Sequence, residues 1–148
     1  PALPGELTMN RIMSFLVVAA LAFTGCGGSI SYFKGRVTSI NQGETTGDTI
    51  SGFGVAVFAG DEANEIIIDD LLSDVPVSAK KTPDGALTIL PGEHTSEAGS
   101  SSWKTSFSGT GSLSGQTLTV HLTVTRTNVI SGKTTTSTST IDFTGTKL

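Results

Sequence analysis

Hydrophobic and polar residues alternate with a period of two along much of the chain, the mark of β-strands with one buried face. The clearest run is 103–114. Trp103, Thr105, Phe107, Gly109, Gly111 and Leu113 share one face, and Lys104, Ser106, Ser108, Thr110, Ser112 and Ser114 share the other. The glycines on the inner face predict strong bending or close packing. Ser114-Gly115 reads as a tight hairpin turn. The returning strand buries Leu118, Val120, Leu122 and Val124 and exposes Thr119, His121, Thr123 and Thr125. A second turn at Ser131-Gly132-Lys133 leads to a strand over 134–146 with Ile141 and Phe143 inward.

The front half is less regular. Residues 30–40 predict a strand with Phe33, Gly35 and Val37 inward, and 49–59 a strand with Phe53, Val55 and Val57 on one face. A shorter strand follows at 65–72. Residues 75–81 pair with 86–90 around Thr82-Pro83-Asp84-Gly85, where Pro sets φ and Gly accepts a positive φ. Residues 95–102 read as a polar loop. The Ser/Thr run at 134–140 reads as strand rather than stalk, because alternation resumes at Ile141 and β-branched Thr suits an exposed strand face. The pattern predicts an all-β domain over 30–148 with seven or eight antiparallel strands. Long strands and short turns favour a small up-and-down barrel, similar to the lipocalin-like group, over the alternative two-sheet β-sandwich.

Ahead of this domain the pattern changes. Met9-Asn10-Arg11 precedes residues 12–23, in which Ser14 is the one polar interruption. A short basic start and a short apolar run predict a signal peptide over 9–25, too short for a membrane span of about 20 residues. Residues 1–8 lack signal character and read as an upstream extension or an expression remnant. Phe23-Thr24-Gly25-Cys26 resembles the lipobox of bacterial lipoproteins, with Phe23 where that family prefers Leu. The resemblance implies cleavage before Cys26, a diacylglyceryl group on its thiol and acylation of the new amino group. It implies a lipid-anchored protein of the bacterial cell envelope. Gly27 is compatible with the outer membrane if the host is Gram-negative.

The anchor is physically sound. Each buried methylene contributes roughly 0.8 kcal/mol and one acyl chain holds only marginally, so two or three chains make attachment stable. Cys26 is the single cysteine, which leaves no intramolecular disulfide to form. Residues 26–29 form the lipidated cysteine and its tether. Gly27, Gly28 and Ser29 reach about 10 Å at about 3.5 Å per residue.

Three further segments, Ile66-Ile67-Ile68-Asp69-Asp70-Leu71, Leu87-Thr88-Ile89-Leu90-Pro91 and Gly109-Thr110-Gly111-Ser112-Leu113-Ser114-Gly115-Gln116-Thr117-Leu118, resemble a widespread type of small all-β bacterial lipoprotein. The likeness covers about 30–148. Its motifs are turns and strand faces, and it brings no catalytic residue with it.

Charge excludes one class of partner. The net charge is −4, and Lys80-Lys81 is the longest basic run, so a nucleic-acid surface is not expected. His94 lies in the Pro91-Gly92-Glu93-His94 segment and His121 on an exposed strand face, without zinc-site spacing. Asp61, Glu62, Glu65, Asp69, Asp70 and Asp74 form an acidic stretch with no base between them. Such oxygen density suits weak Ca²⁺ binding at Asp61, Glu62 and Glu65, but EF-hand spacing is missing and a solvated strand edge is favoured. Gly111-Ser112-Leu113-Ser114-Gly115 puts Leu where a nucleophile elbow needs Ser. Gly109-Thr110-Gly111 lacks the third glycine and the helix of a dinucleotide site.

The expectation is therefore a non-enzymatic, lipid-anchored envelope module without a cofactor, which contacts an envelope protein. The alternative is a binder of a small apolar ligand inside the barrel. That reading predicts a cavity lined by Phe33, Phe53, Trp103, Phe107 and Leu122, residues otherwise expected in the core.

Overall fold

A computed structural model describes residues 29–73 and 75–148. The segments 1–8 and 9–25 and the lipobox cysteine Cys26 lie outside the described residues. Eight antiparallel strands close into one barrel in up-and-down order. They are β1 (Ser31–Asn41), β2 (Asp48–Ala59), β3 (Glu65–Leu72), β4 (Val75–Lys81), β5 (Ala86–Ala98), β6 (Ser101–Ser114), β7 (Thr117–Ile130) and β8 (Lys133–Lys147). Closure comes from β8 against β1, with Phe33 opposite Lys147 at one end and Asn41 opposite Ser139 at the other. A continuous ring excludes the two-sheet sandwich and removes the free edges that open sheets must protect.

One element differs from the sequence reading. Residues 95–102 are not a polar loop. Strand β5 continues to Ala98 and β6 starts at Ser101, and they pair from Gly92 opposite Phe107 to Ala98 opposite Ser101. The turn between them is carried by Gly99 at φ 62°. Neither face of this hairpin tip is deeply buried, so no apolar alternation marks it. Backbone pairing alone extends the ladder.

The core grows from the inward positions of each strand. Leu118, Val120, Leu122 and Val124 of β7 are at most 2% exposed. They share the buried cluster with Phe33, Ile68, Val77, Leu87, Ile89 and Phe143. Burying one such side chain contributes about 1.5–3 kcal/mol relative to leaving it in water. Phe53 meets Phe143 edge to face with ring centroids 6.3 Å apart, an arrangement favoured by the ring quadrupoles. The inner-face glycine Gly109 is needed for close approach, because a Cβ there would lie 2.0 Å from the His121 carbonyl oxygen. Gly92 has a different role. A Cβ at that position would sit 2.1 Å from a ring carbon of Phe107, so the missing side chain makes room for the ring.

The barrel is asymmetric around its circumference. Strands β5 to β8 pair over almost their whole length, with β6 and β7 aligned from Ser102 opposite Val129 to Ser114 opposite Thr117. The opposite wall is short. β2 meets β3 only over Ala56–Ala59, and β4 meets β5 only over Ala79–Lys81. After Ile89 the β5–β6 register shifts before pairing resumes at Gly92. Pro91 lies in that irregularity and has no N–H to give to a ladder. Beyond it β5 leaves β4, and the long hairpins overhang the short wall.

The two barrel ends consequently differ. At the end where the chain enters β1, the inner row is Leu113, Leu118, Gly145 and Gly35 on β6, β7, β8 and β1. At the overhanging end, apolar residues give way to polar ones over successive rows. Gly92, Phe107, Val124 and Ser139 are followed by His94, Thr105, Arg126 and Ser137, then by Ser96, Trp103, Asn128 and Thr135.

Candidate functional site

The overhang creates a cleft of about 330 Å³ at this mouth. One side is the tip of the β3–β4 hairpin, with buried Leu72 and half-buried Val75. The other side is the inner face of β5 to β7, which contributes His94, Ser96, Trp103, Thr105, Arg126 and Asn128. Cross-strand pairing fixes their order. Thr105 stands between His94 and Arg126, and Trp103 stands between Ser96 and Asn128. Side chains directly opposite on adjacent strands have Cβ atoms about 4.5–5.5 Å apart, so these two rows form a tight grid.

Trp103 is 37% exposed, enough to offer part of its indole to solvent. Arg126 is exposed and Asn128 half-buried. Among the described residues, no carboxylate is within ion-pair distance of Arg126: Glu62 pairs with Lys80 and Glu93 with Lys104, and Asp142 meets His121. Asp74, next to the cleft residue Ser73 in sequence, lies outside the described residues. The mouth thus combines a flat apolar surface, a guanidinium, an amide and hydroxyls over an apolar floor.

Of the residues expected to line an internal cavity, Phe33, Phe107 and Leu122 belong to the buried cluster, and Phe53 packs against it. Trp103 alone lines the mouth cleft. Arg126 and Asn128 escaped the sequence reading, and His94, read there as a surface histidine, turns inward at the mouth. The alternation on β7 carries two steps past Val124 to Arg126 and Asn128, which was the available signal. His94 was hidden by the irregularity at Pro91, which moves the inward parity of β5 from Leu87 and Ile89 to Gly92 and His94. A one-residue shift of that kind exchanges the two faces of a strand.

The acidic stretch is organised as a turn. The Glu62 carboxylate pairs with Lys80 of β4, and Glu65 Oε2 accepts the Glu62 N–H at 3.1 Å. Gly60 N–H donates to the Glu65 carbonyl at 2.9 Å. The hydrogen bond from Lys80, reinforced by its charge, holds the Glu62 carboxyl below the usual range. Asp61, Glu62 and Glu65 are not gathered into a cage, and no group of three or more metal-ligating side chains occurs among the described residues. The cation that meets Glu62 comes from β4, where Lys80 is brought opposite Glu65.

A third constellation lies outside the barrel. His121 Nδ1 is 2.5 Å from Asp142 Oδ1, and Thr110 is the cross-strand neighbour of His121 on β6. This row has the residue types of a hydroxyl, a base and an orienting acid. Among the described residues, however, no hydroxyl hydrogen-bonds the imidazole, and the two side chains are 55% and 49% exposed. Water reaches the pair from the outer surface.

No protein-family model, curated protein or solved structure matches the chain.

Proposed function

We propose that the chain is a lipid-anchored, non-enzymatic module of the bacterial cell envelope, at the outer membrane in a Gram-negative host, which works by binding through its barrel mouth. Cys26 would carry the anchor. The observation that carries this reading is the end-to-end asymmetry of the barrel. The chain enters β1 at Ser31 at one end of the barrel, whereas the polar cleft opens at the other end. At about 3.5 Å per residue the stretch from Cys26 to Ser31 spans at most about 17 Å, which keeps that end next to the bilayer. The mouth then faces away from the membrane, available to an envelope protein or a soluble ligand. Burial of Phe33, Phe107 and Leu122 in the core gives less support to an apolar ligand inside the barrel.

Expression of the full chain in a bacterial host, with fractionation and mass spectrometry, tests the anchor. The expected result is a membrane-bound product carrying lipid on Cys26, and a soluble Cys26→Ser variant. Wild-type protein that partitions like Cys26→Ser would overturn the proposal.

A further inference from the structure

We infer that the mouth cleft is a binding site for a carboxylated sugar. The inference deepens the reading of the mouth as the binding face, and it rests on the cleft side chains and not on the anchor.

Four features select this chemistry. The partly exposed Trp103 indole offers a flat apolar platform, and the C–H face of a pyranose ring is the complementary flat apolar surface. Asn128, Thr105 and Ser96 surround that platform with amide and hydroxyl groups that both donate and accept, as a polyhydroxylated ring requires. Arg126, one row further into the barrel, supplies a planar fork suited to a carboxylate held by two parallel hydrogen bonds. The volume of about 330 Å³ is at the low end of small-ligand sites and fits a single sugar residue better than a long acyl chain.

Alternative ligands fit less well. An aliphatic molecule would offer the Arg126 guanidinium no hydrogen-bond acceptor. A cationic sugar would meet Arg126 with the wrong sign. A nucleotide phosphate would match the charge but would need more anion donors than one arginine and one imidazole provide.

The chain contains a single tryptophan, and it lies in this cleft. Its emission is therefore a local reporter. The full chain, in detergent, is titrated with sodium glucuronate, glucose and glucosamine at constant ionic strength. The expected result is a saturable change in emission with glucuronate, at least tenfold weaker affinity for glucose, and no saturable change with glucosamine. Arg126→Gln should weaken glucuronate binding at least tenfold while leaving the response to glucose unchanged, and Arg126→Lys should fall between. The far-ultraviolet dichroism of each variant should match the wild type, since Arg126 is exposed. No response to glucuronate, equal responses to glucuronate and glucose, or an Arg126→Gln variant that binds like the wild type would each overturn the inference. Because lipidation plays no part in the titration, failure here leaves the anchor standing. A failed anchor equally leaves the cleft standing.

Discussion

Strands β6 to β8 and strands β2 to β4 close the same barrel by different means. The first group is long and regular, and its inward side chains change from fully buried Leu118 to polar Asn128 along a single strand. The second group is irregular and its ladders are short. Between Ile68 and Leu72 the pairing of β3 with β4 shifts, with Asp70 at φ 67°. The shift lets adjacent Leu71 and Leu72 both be buried, 5% exposed each, which a regular pleat forbids. One wall therefore relies on ladder length, and the other concentrates apolar bulk into few residues. The difference in length between the walls opens the mouth.

If the two walls share one core, they should fail together. Leu122→Ala on the long wall and Ile68→Ala on the short wall should each cost about 2–5 kcal/mol, since both residues are fully buried. Urea unfolding followed by far-ultraviolet dichroism should give one transition for each variant. A separate early transition in Ile68→Ala would show that the short wall unfolds by itself and would break the comparison.

The irregularity in β3 can be tested at its strained residue. Asp70 adopts a left-handed conformation that costs a non-glycine residue about 1–2 kcal/mol. Asp70→Gly should gain up to about 1 kcal/mol and Asp70→Val should lose at least as much, read from shifts in the urea midpoint. Equal stabilities would mean that the bulge stores no strain.

On the outer face of the long wall, Thr125 and Thr138 hydroxyls are 3.2 Å apart, and Thr127 and Thr136 are 3.3 Å apart. A double-mutant cycle on Thr125→Ala and Thr138→Ala should return a coupling of about 0.2–1 kcal/mol. A value of zero would reduce these rows to strand propensity alone.

The smallest effect belongs to the turn of the short wall. The Glu62 carboxyl is held below its usual range by Lys80, so the pair contributes most above the ordinary carboxylate range. That contribution is lost as pH falls through the depressed folded-state value. Lys80→Met should return Glu62 to ordinary titration, followed by NMR of its side-chain carboxyl. An unchanged titration would separate Lys80 from the turn.

The sequence made the long wall legible because burial and exposure alternate there without interruption. Leu118 to Val124 and Ile141 to Phe143 lie inward as that period requires. It was less informative where pairing depends on geometry without apolar contrast. The hairpin tip at 95–102 has polar residues on both faces, and the Leu71-Leu72 pair breaks period two. The cleft was legible in part. Trp103 was identified as an inward aromatic, and its exposure follows from the length of β5 to β8 relative to β3 and β4, which is a property of the closed ring. His94 could be assigned a side only after the irregularity at Pro91 was placed.

The central claim is that the long wall overhangs the short one and leaves Trp103 at an open mouth. Acrylamide quenching of the single tryptophan in the folded chain tests it most directly. Partial exposure predicts efficient quenching in the native protein that rises only moderately on unfolding in urea. Emission shielded from acrylamide until the barrel unfolds would mean that Trp103 is enclosed, and would contradict the account.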